Sequence, residues 1–127
     1  MTAIYPTARD YQPGEVHHIV LFRPVDATDN VAAEITRRFL ALAGSERDGA
    51  PYISSISGGR QISPEPGASP ATLGFVVVFA SIGDRNFYLG RPFVPEGSEY
   101  DLEHDAFKEF VGPLLAPDGV DIFDFQQ

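Results

Sequence analysis

The alternation of hydrophobic and polar residues along this chain predicts four strands. Residues 15–23 alternate with a period of two and end at a proline, which is typical of a strand. Residues 73–82 are apolar almost throughout, which indicates a strand that is covered on both faces. Weaker alternation predicts two more strands at 51–62 and 120–125, the first with a bulge or bend at its paired glycines.

A second period, of 3.6 residues, predicts the helices between these strands. The first helix follows a polar capping cluster at 26–30, continues to about Ala43 and ends at Gly44. A short helix is expected at 84–90, with Asp84 as its N-cap. One helix follows the first strand and a second long helix precedes the last strand, so the predicted order, apart from the short helix, is strand, helix, strand, strand, helix, strand.

The last predicted helix covers residues 101–115 and carries His104 in its first turn. Asp101 is its expected N-cap, and Pro113 should bend or tighten its final turns. One face of this helix is apolar at helical spacing: Phe107, Phe110, Val111 and Leu114. His104 is therefore expected where an exposed helix end meets the core.

An irregular insertion at 91–100 precedes that helix. It contains two prolines, so we expect an ordered flap and not a floppy linker. Phe93 and Val94 are apolar enough to pack over the mouth of a pocket or onto a partner subunit.

The order of elements predicts an α+β fold, a ferredoxin-like βαββαβ sandwich with a four-stranded antiparallel sheet. Both helices then lie on one face of the sheet and leave the other face bare. The strands at 16–22 and 73–80 are nevertheless apolar on both faces. An exposed apolar face of that size would aggregate, so we expect a second copy to cover it. The prediction is a homodimer through the sheet faces, a dimeric α/β barrel.

Composition narrows the class of protein. The chain has 127 residues, 43% of them hydrophobic, which suits a single domain at 15–127 behind a loose N-terminal arm at 1–14. It contains no cysteine, so disulfides and thiolate sites are excluded. A net charge of −9 argues against nucleic acid and anionic membranes as partners. No apolar run could span a bilayer and no signal peptide is recognisable, so we expect a cytoplasmic protein.

The chain offers few residues for acid–base chemistry. His104 either acts as a general base or simply touches solvent at its helix end. His17 and His18 are adjacent on a strand and must point to opposite faces. We expect His17 on the helix side, as a core or pocket histidine, and His18 in the dimer interface, where it could make assembly pH-sensitive. Tyr88 either hydrogen-bonds a carbonyl oxygen or packs at the edge of the core.

Metal ions and cofactors have little support in the sequence. His17, His104, Asp101 and Glu103 do not have the spacing of a known metal-ligand set. The glycines form no phosphate loop, and no serine-triad element is present. We therefore expect no cofactor and no metal.

Four segments resemble one family. They are HHIVLF at 17–22, GFVVVF at 74–79, HDAFKEFVGPLL at 104–115 and DIFDF at 121–125. Their order and spacing are similar to those of the stress-responsive dimeric A/B barrel (Dabb) family. The resemblance implies a ferredoxin-like protomer that dimerises through its sheet faces. One plant branch of the family consists of polyketide cyclases, which close a poly-β-ketoacyl chain by aldol condensation.

The resemblance also implies roles for particular residues. The family's proposed helix base corresponds to His104 and its first-strand pocket histidine to His17. The family's tyrosine corresponds to Tyr88, with Tyr100 as a rival because of the insertion. A further pocket histidine of the family corresponds to Gly74 here.

Two functions follow as hypotheses. The first is a small-molecule enzyme of the cyclase or lyase type. It would act on a β-keto or phenolic compound between sheet and helices, with His104 as base and Tyr88 and His17 as orienting groups. The second is a non-catalytic stress-response or ligand-binding protein whose working unit is the dimer.

Overall fold

The computed structural model describes residues 5–95 and 97–127. A four-stranded antiparallel sheet is formed by β1 (Pro13–Pro24), β4 (Ile53–Arg60), β5 (Leu73–Ser81) and β6 (Leu115–Gln126). The strands lie in the spatial order β4-β5-β1-β6. This arrangement confirms the predicted α+β, ferredoxin-like fold.

Three helices complete the protomer: α1 (Asp29–Ala41), α2 (Ile82–Leu89) and α3 (Leu102–Val111). Short 3₁₀ turns at Leu42–Gly44 and Gly112–Leu114 follow α1 and α3. A short hairpin lies between α1 and β4 and was not predicted from the sequence. Its two strands have two residues each: β2 (Glu46–Arg47) and β3 (Ala50–Pro51). None of the helices in the described ranges is long and apolar enough to cross a membrane.

The core lies between the sheet and the helices. Burial alternates along β1 and β5, so every second side chain faces the helices. Aromatic rings occupy the centre of this core, where Phe39 of α1 stacks on Phe75 of β5 at 4.1 Å between centroids. Phe107 of α3 meets Phe39 edge-on at 5.2 Å, which ties both helices to one face of the sheet.

The opposite face of the sheet is apolar and partly exposed. Ile19 of β1 and Val76 of β5 are cross-strand neighbours there and are half-buried. Phe123 of β6 pairs with Ile19 and is 66% exposed, and Phe125 is 39% exposed. We name this surface, which includes Ile19, Val76, Val78, Phe123 and Phe125, the open face. The sequence prediction of apolar residues on both faces is confirmed, since the buried and open sets share the same strands.

Two predicted boundaries are wrong for local reasons. Helix α2 begins at Ile82 and not at Asp84, because the Ser81 hydroxyl accepts the Asp84 N–H at 3.0 Å and is the true N-cap. Strand β6 begins at Leu115, five residues earlier than predicted, because the 3₁₀ turn around Pro113 ends the helix early.

The described part of the N-terminal arm is fixed to α2. The Asn86 side-chain amide donates to the Pro6 carbonyl at 2.8 Å, and the Gly83 N–H donates to the Tyr11 carbonyl at 3.1 Å. A Cβ on Gly83 would lie 1.7 Å from the Ala8 carbonyl oxygen, so glycine is what allows the arm this close. The expectation of a loose arm is therefore wrong for residues 5–12, and Met1 to Ile4 lie outside the described residues.

Candidate functional site

The structure reverses the predicted placement of the two adjacent histidines. His18 lies on the helix side of β1 and is 4% exposed, in the same set as Val16, Val20 and Phe22. His17 lies on the open face, where its ring stacks on Phe125 at 4.6 Å. The prediction was wrong because both strand faces are apolar, and periodicity alone could not show which face the helices cover. The pocket position expected for His17 belongs to His18.

Asp124 links His18 to Arg85 in a hydrogen-bonded network. The His18 Nδ1 lies 2.7 Å from Oδ1 of Asp124 on β6, and the guanidinium of Arg85 on α2 donates to the other carboxylate oxygen at 2.7 Å. Burial alone would raise the pKa of Asp124, but the hydrogen bonds from His18 and Arg85 outweigh it and lower the pKa. An ionised carboxylate can only accept, so the His18 Nδ1 donates to Asp124, and Nε2 is the acceptor of the neutral ring.

Tyr88 on α2 lies between the two histidines of the helix side. Its ring stacks on His104 at 3.6 Å and meets His18 edge-on at 5.6 Å. The residue is 1% exposed, and its hydroxyl has no hydrogen-bond partner among the described residues. Burial, together with the charges of Asp101 and Asp124, raises the pKa of Tyr88. The phenol therefore stays protonated and is available as a donor.

His104 is held at both its backbone and its ring. Asp101 accepts the His104 N–H at 3.0 Å, which confirms Asp101 as the N-cap of α3. The His104 Nδ1 lies 2.5 Å from the Tyr88 carbonyl oxygen, which fixes the proton on Nδ1. Burial is the main cause that lowers the pKa of His104 to about 3. The ring is therefore neutral at physiological pH, with a weakly basic Nε2.

A buried tyrosine fixes the N-cap in turn. The Tyr52 hydroxyl donates to the second oxygen of Asp101 at 2.6 Å, and both residues are buried. The pKa of Tyr52 is raised, first by burial and then by the Asp101 charge. Each oxygen of the Asp101 carboxylate thus has a partner, which holds the start of α3 and the backbone of His104 in place.

His18, Tyr88 and His104 line a cavity of about 250 Å³ between the sheet and helices α2 and α3. Most of the described residues that line it are apolar, and four are polar: His18, Tyr88, His104 and Lys108. The Lys108 ammonium donates to the carbonyls of Leu89 and Arg91, each at 2.8 Å. Two of the three Lys108 N–H donors are thus engaged, and the two imidazoles and the phenol are the other polar groups of the lining.

The structure separates the remaining predicted site residues from this cavity. Tyr100 does not line it and lies instead beside Gly90 and the Arg91 guanidinium. Gly74 is on the open face, where it pairs with Leu21 of β1. In residues 5–95 and 97–127 no three His, Asp or Glu side chains are grouped closely enough to hold a metal ion.

Sequence reasoning missed His18, Asp124 and Arg85 as site residues. Asp124 is 106 residues from His18 in the chain, and only the register of β1 against β6 brings them together. One signal was present: His18 shares its strand face with Phe22, the largest apolar side chain of β1. The size of Phe22, a signal separate from periodicity, favours the core side for His18.

Comparisons with known proteins agree on the fold. A family model described as the stress responsive A/B barrel domain matches residues 16–127. A dimeric ferredoxin-like protein of unknown function from Jannaschia sp. CCS1 is 16% identical, with 90% of this chain and 100% of that chain covered and a TM-score of 0.65. No curated protein matches the sequence.

Two further solved structures are similar. The hydroxynitrile lyase from Passiflora edulis is 18% identical, with 91% of this chain and 94% of that chain covered and a TM-score of 0.66. A Dabb family protein with a ferredoxin-like fold from Mesorhizobium loti is 20% identical, with 90% and 97% covered and a TM-score of 0.59. Identities this low show a common fold and leave activity to be argued from the site.

Proposed function

This chain belongs to the stress responsive A/B barrel domain family, and we propose that its cavity is the active site of a cofactor-independent lyase or cyclase. The observation that carries the proposal is the Tyr88 hydroxyl. Tyr88 lines the cavity, and its hydroxyl is buried without a partner among the described residues. An unpaired buried hydroxyl costs about 1–3 kcal/mol of stability, a cost that a ligand oxygen or nitrogen would relieve.

The hydrogen-bonding pattern of the cavity supports a particular substrate. Tyr88 offers a donor, while the Nε2 atoms of His18 and His104 are acceptors because both rings hold their protons on Nδ1. The complement is a neutral compound with a hydroxyl group close to a carbonyl or nitrile. The apolar walls favour an aromatic or alkyl body for the rest of the molecule.

The same groups can carry a carbon–carbon bond cleavage. The His18 Nε2 takes the proton of the substrate hydroxyl, and the O–H electron pair forms a C=O bond. The adjacent C–C bond breaks, and its electron pair leaves as cyanide or an enolate, to which the His18 imidazolium returns the proton. Asp124 stabilises the imidazolium, and Tyr88 donates to the developing negative charge. The reverse sequence forms the bond, as an aldol cyclisation requires.

This scheme changes the role expected for His104. A base works best when its pKa is near the working pH, and burial lowers the pKa of His104 to about 3. We therefore assign proton transfer to His18, whose imidazolium Asp124 would stabilise, and to His104 the role of holding the Tyr88 ring in place by stacking. His17, on the open face, has no part in the scheme.

The hydroxynitrile lyase among the structural neighbours supports the reaction class. It shares the fold over 91% of this chain. The sequence resemblance to cyclases of the family supports the reverse, bond-forming direction. We propose the reaction class and leave the particular substrate to experiment.

We also propose that the working unit is a homodimer through the open face. Phe123 is 66% exposed there, beside the half-buried Ile19 and Val76. Solvent-exposed apolar side chains on three neighbouring strands are typical of an interface. The dimeric ferredoxin-like proteins among the neighbours support this assembly.

The test is a turnover screen with aromatic cyanohydrins, β-hydroxy ketones and β-ketoacyl thioesters, following aldehyde, ketone or ring formation. Tyr88→Phe should lower the rate by about 10²–10³, the cost typical of losing one donor to a developing anion. Tyr100→Phe is the matched control, because Tyr100 lies outside the cavity, and it should keep the wild-type rate. Equal rates for both variants would contradict the proposed site.

A non-catalytic binding protein is the second candidate, favoured by the low basicity of His104. It predicts that phenols and hydroxy ketones raise the melting temperature in a Tyr88-dependent manner. It also predicts that no compound of the screen is turned over.

A further inference from the structure

We propose that Phe93 completes a subsite for an apolar tail of the ligand at the opening of the cavity. Phe93 belongs to the insertion, and the N-terminal arm packs against its ring. The inference rests on the proposed function, because it takes the cavity as the ligand site. It adds to that function a residue that determines which ligands bind tightly.

Three large apolar side chains mark the opening. Phe93 lines the cavity and is 41% exposed, and Val120 and Ile122 of β6 line it and are 41% and 60% exposed. A side chain that both lines a cavity and reaches solvent lies where the two meet. A polar ligand would gain little at such a rim, whereas an alkyl or aryl tail would cover apolar surface on the protein and on itself.

The backbone around Phe93 is fixed from two sides. Its N–H donates to the Gly90 carbonyl at 2.9 Å, and the next residue, Val94, is 3% exposed. Helix α3 holds the preceding turn, because the Lys108 ammonium donates to the Arg91 carbonyl at 2.8 Å. Phe93 is thus presented as a wall of defined position, which is what discrimination between ligands needs.

The N-terminal arm supports the Phe93 ring from outside. Tyr5 meets it edge-on, with 5.6 Å between centroids. The hydrogen bond from Asn86 to the Pro6 carbonyl fixes the arm next to this contact. The arm precedes the part of the chain that matches the family, residues 16–127, and the insertion is an irregular segment between two helices. Two segments that the sandwich itself does not need therefore converge at the cavity opening.

The size of the cavity indicates when a ligand reaches the rim. An apolar cavity of about 150 Å³ is enough to bind benzene, so 250 Å³ has room for a phenol ring and a short para substituent. A longer para-alkyl chain must extend past Phe93, where each methylene that it buries should tighten binding by about fourfold.

The experiment measures the dissociation constants of 4-alkylphenols, from phenol to 4-heptylphenol, by calorimetry. In the wild type, affinity should rise with each added carbon. In Phe93→Ala the short phenols should bind as in the wild type. The longest ones should bind about tenfold or more weakly, because their outer carbons no longer contact the Phe93 ring. Tyr5→Ala should show part of this loss and Tyr5→Phe none. Ile62→Ala, an exposed apolar truncation outside the cavity, is the control.

Three outcomes are decisive. A loss that grows with chain length supports the subsite. A loss that is uniform along the series, or no loss, overturns the assignment to Phe93 but leaves the cavity as the binding site. If phenol itself fails to bind, or binds equally to wild type and Tyr88→Phe, the proposed function fails and the subsite fails with it.

Discussion

The pKa of His104 predicts a specific pH dependence of stability. The imidazole has a pKa of about 3 in the folded protein and an ordinary value of 6.5, the value expected once unfolded. The unfolded chain therefore binds one more proton than the folded chain between these values. The stability that comes from the neutral ring is complete above about pH 6.5 and is lost as the pH falls towards 3.

The magnitude follows from these two values. Between pH 7.5 and pH 5 the unfolded ring takes up its proton while the folded ring does not, which costs about 2 kcal/mol of unfolding free energy. Any pKa of His104 below about 4.5 in the folded protein gives nearly the same loss of unfolding free energy. Between pH 7.5 and pH 5 that loss comes from protonation of the ring in the unfolded chain. The charged and titratable groups around the ring are Lys108 and His18, which lower its pKa further, and Asp105, which raises it.

The assay is urea unfolding at a fixed protein concentration, for wild type and His104→Gln, at several pH values between 5 and 7.5. Glutamine keeps a donor for the Tyr88 carbonyl and cannot titrate. His17 and His18 are present in both proteins, so their contributions cancel. The stability advantage of the wild type should shrink by about 2 kcal/mol across this range. An advantage that is constant with pH would show that His104 titrates normally in the folded state and would refute the reasoning.

Three further predictions concern other residues. Tyr88→Phe should raise the unfolding free energy of the ligand-free protein by about 1 kcal/mol in urea titrations, since it removes a buried unpaired hydroxyl; a loss would mean that the hydroxyl is satisfied. Val76→Asp should convert the proposed dimer to monomer or aggregate in sedimentation, because Val76 lies on the open face; an unchanged mass would place the interface elsewhere. Asp101→Ala should cost about 2–4 kcal/mol by thermal melting, because it removes the N-cap of α3 and the partner of Tyr52. A cost below that of a surface change such as Asp29→Ala would contradict it.

The sequence predicted the fold because its periodicities are strong. A ferredoxin-like sandwich follows from three features: the apolar strand at 73–82, the helix that Asp101 caps, and the order in which strands and helices follow one another. The predicted boundaries that are wrong lie where one residue takes part in two elements. Ser81 reads as part of a strand, although its hydroxyl caps α2.

The site was less predictable because it depends on how the strands pair and on how deeply each side chain is buried. His17 and His18 have apolar neighbours on both faces of the strand, so a shift of one residue exchanges their roles. Asp124 reaches His18 only through strand pairing across the length of the chain. Tyr88 and His104 were identified, but their stacking and the depth of their burial come from the packing of α2 against α3. Burial lowers the pKa of His104, whereas the buried His18 has the Asp124 carboxylate as a partner, and this difference is the reason for assigning proton transfer to His18.

The central claim is that catalysis occurs in the helix-side cavity with His18 as the base, and the adjacent histidines provide the most direct measurement. His17→Gln and His18→Gln change neighbouring residues on opposite faces of one strand. Turnover would be compared on the best substrate from the screen, with dimer mass and melting temperature as controls. The account predicts that His18→Gln lowers kcat by about 10²–10⁴ and that His17→Gln keeps the wild-type value. Equal losses in the two variants, or a larger loss in His17→Gln, would contradict it.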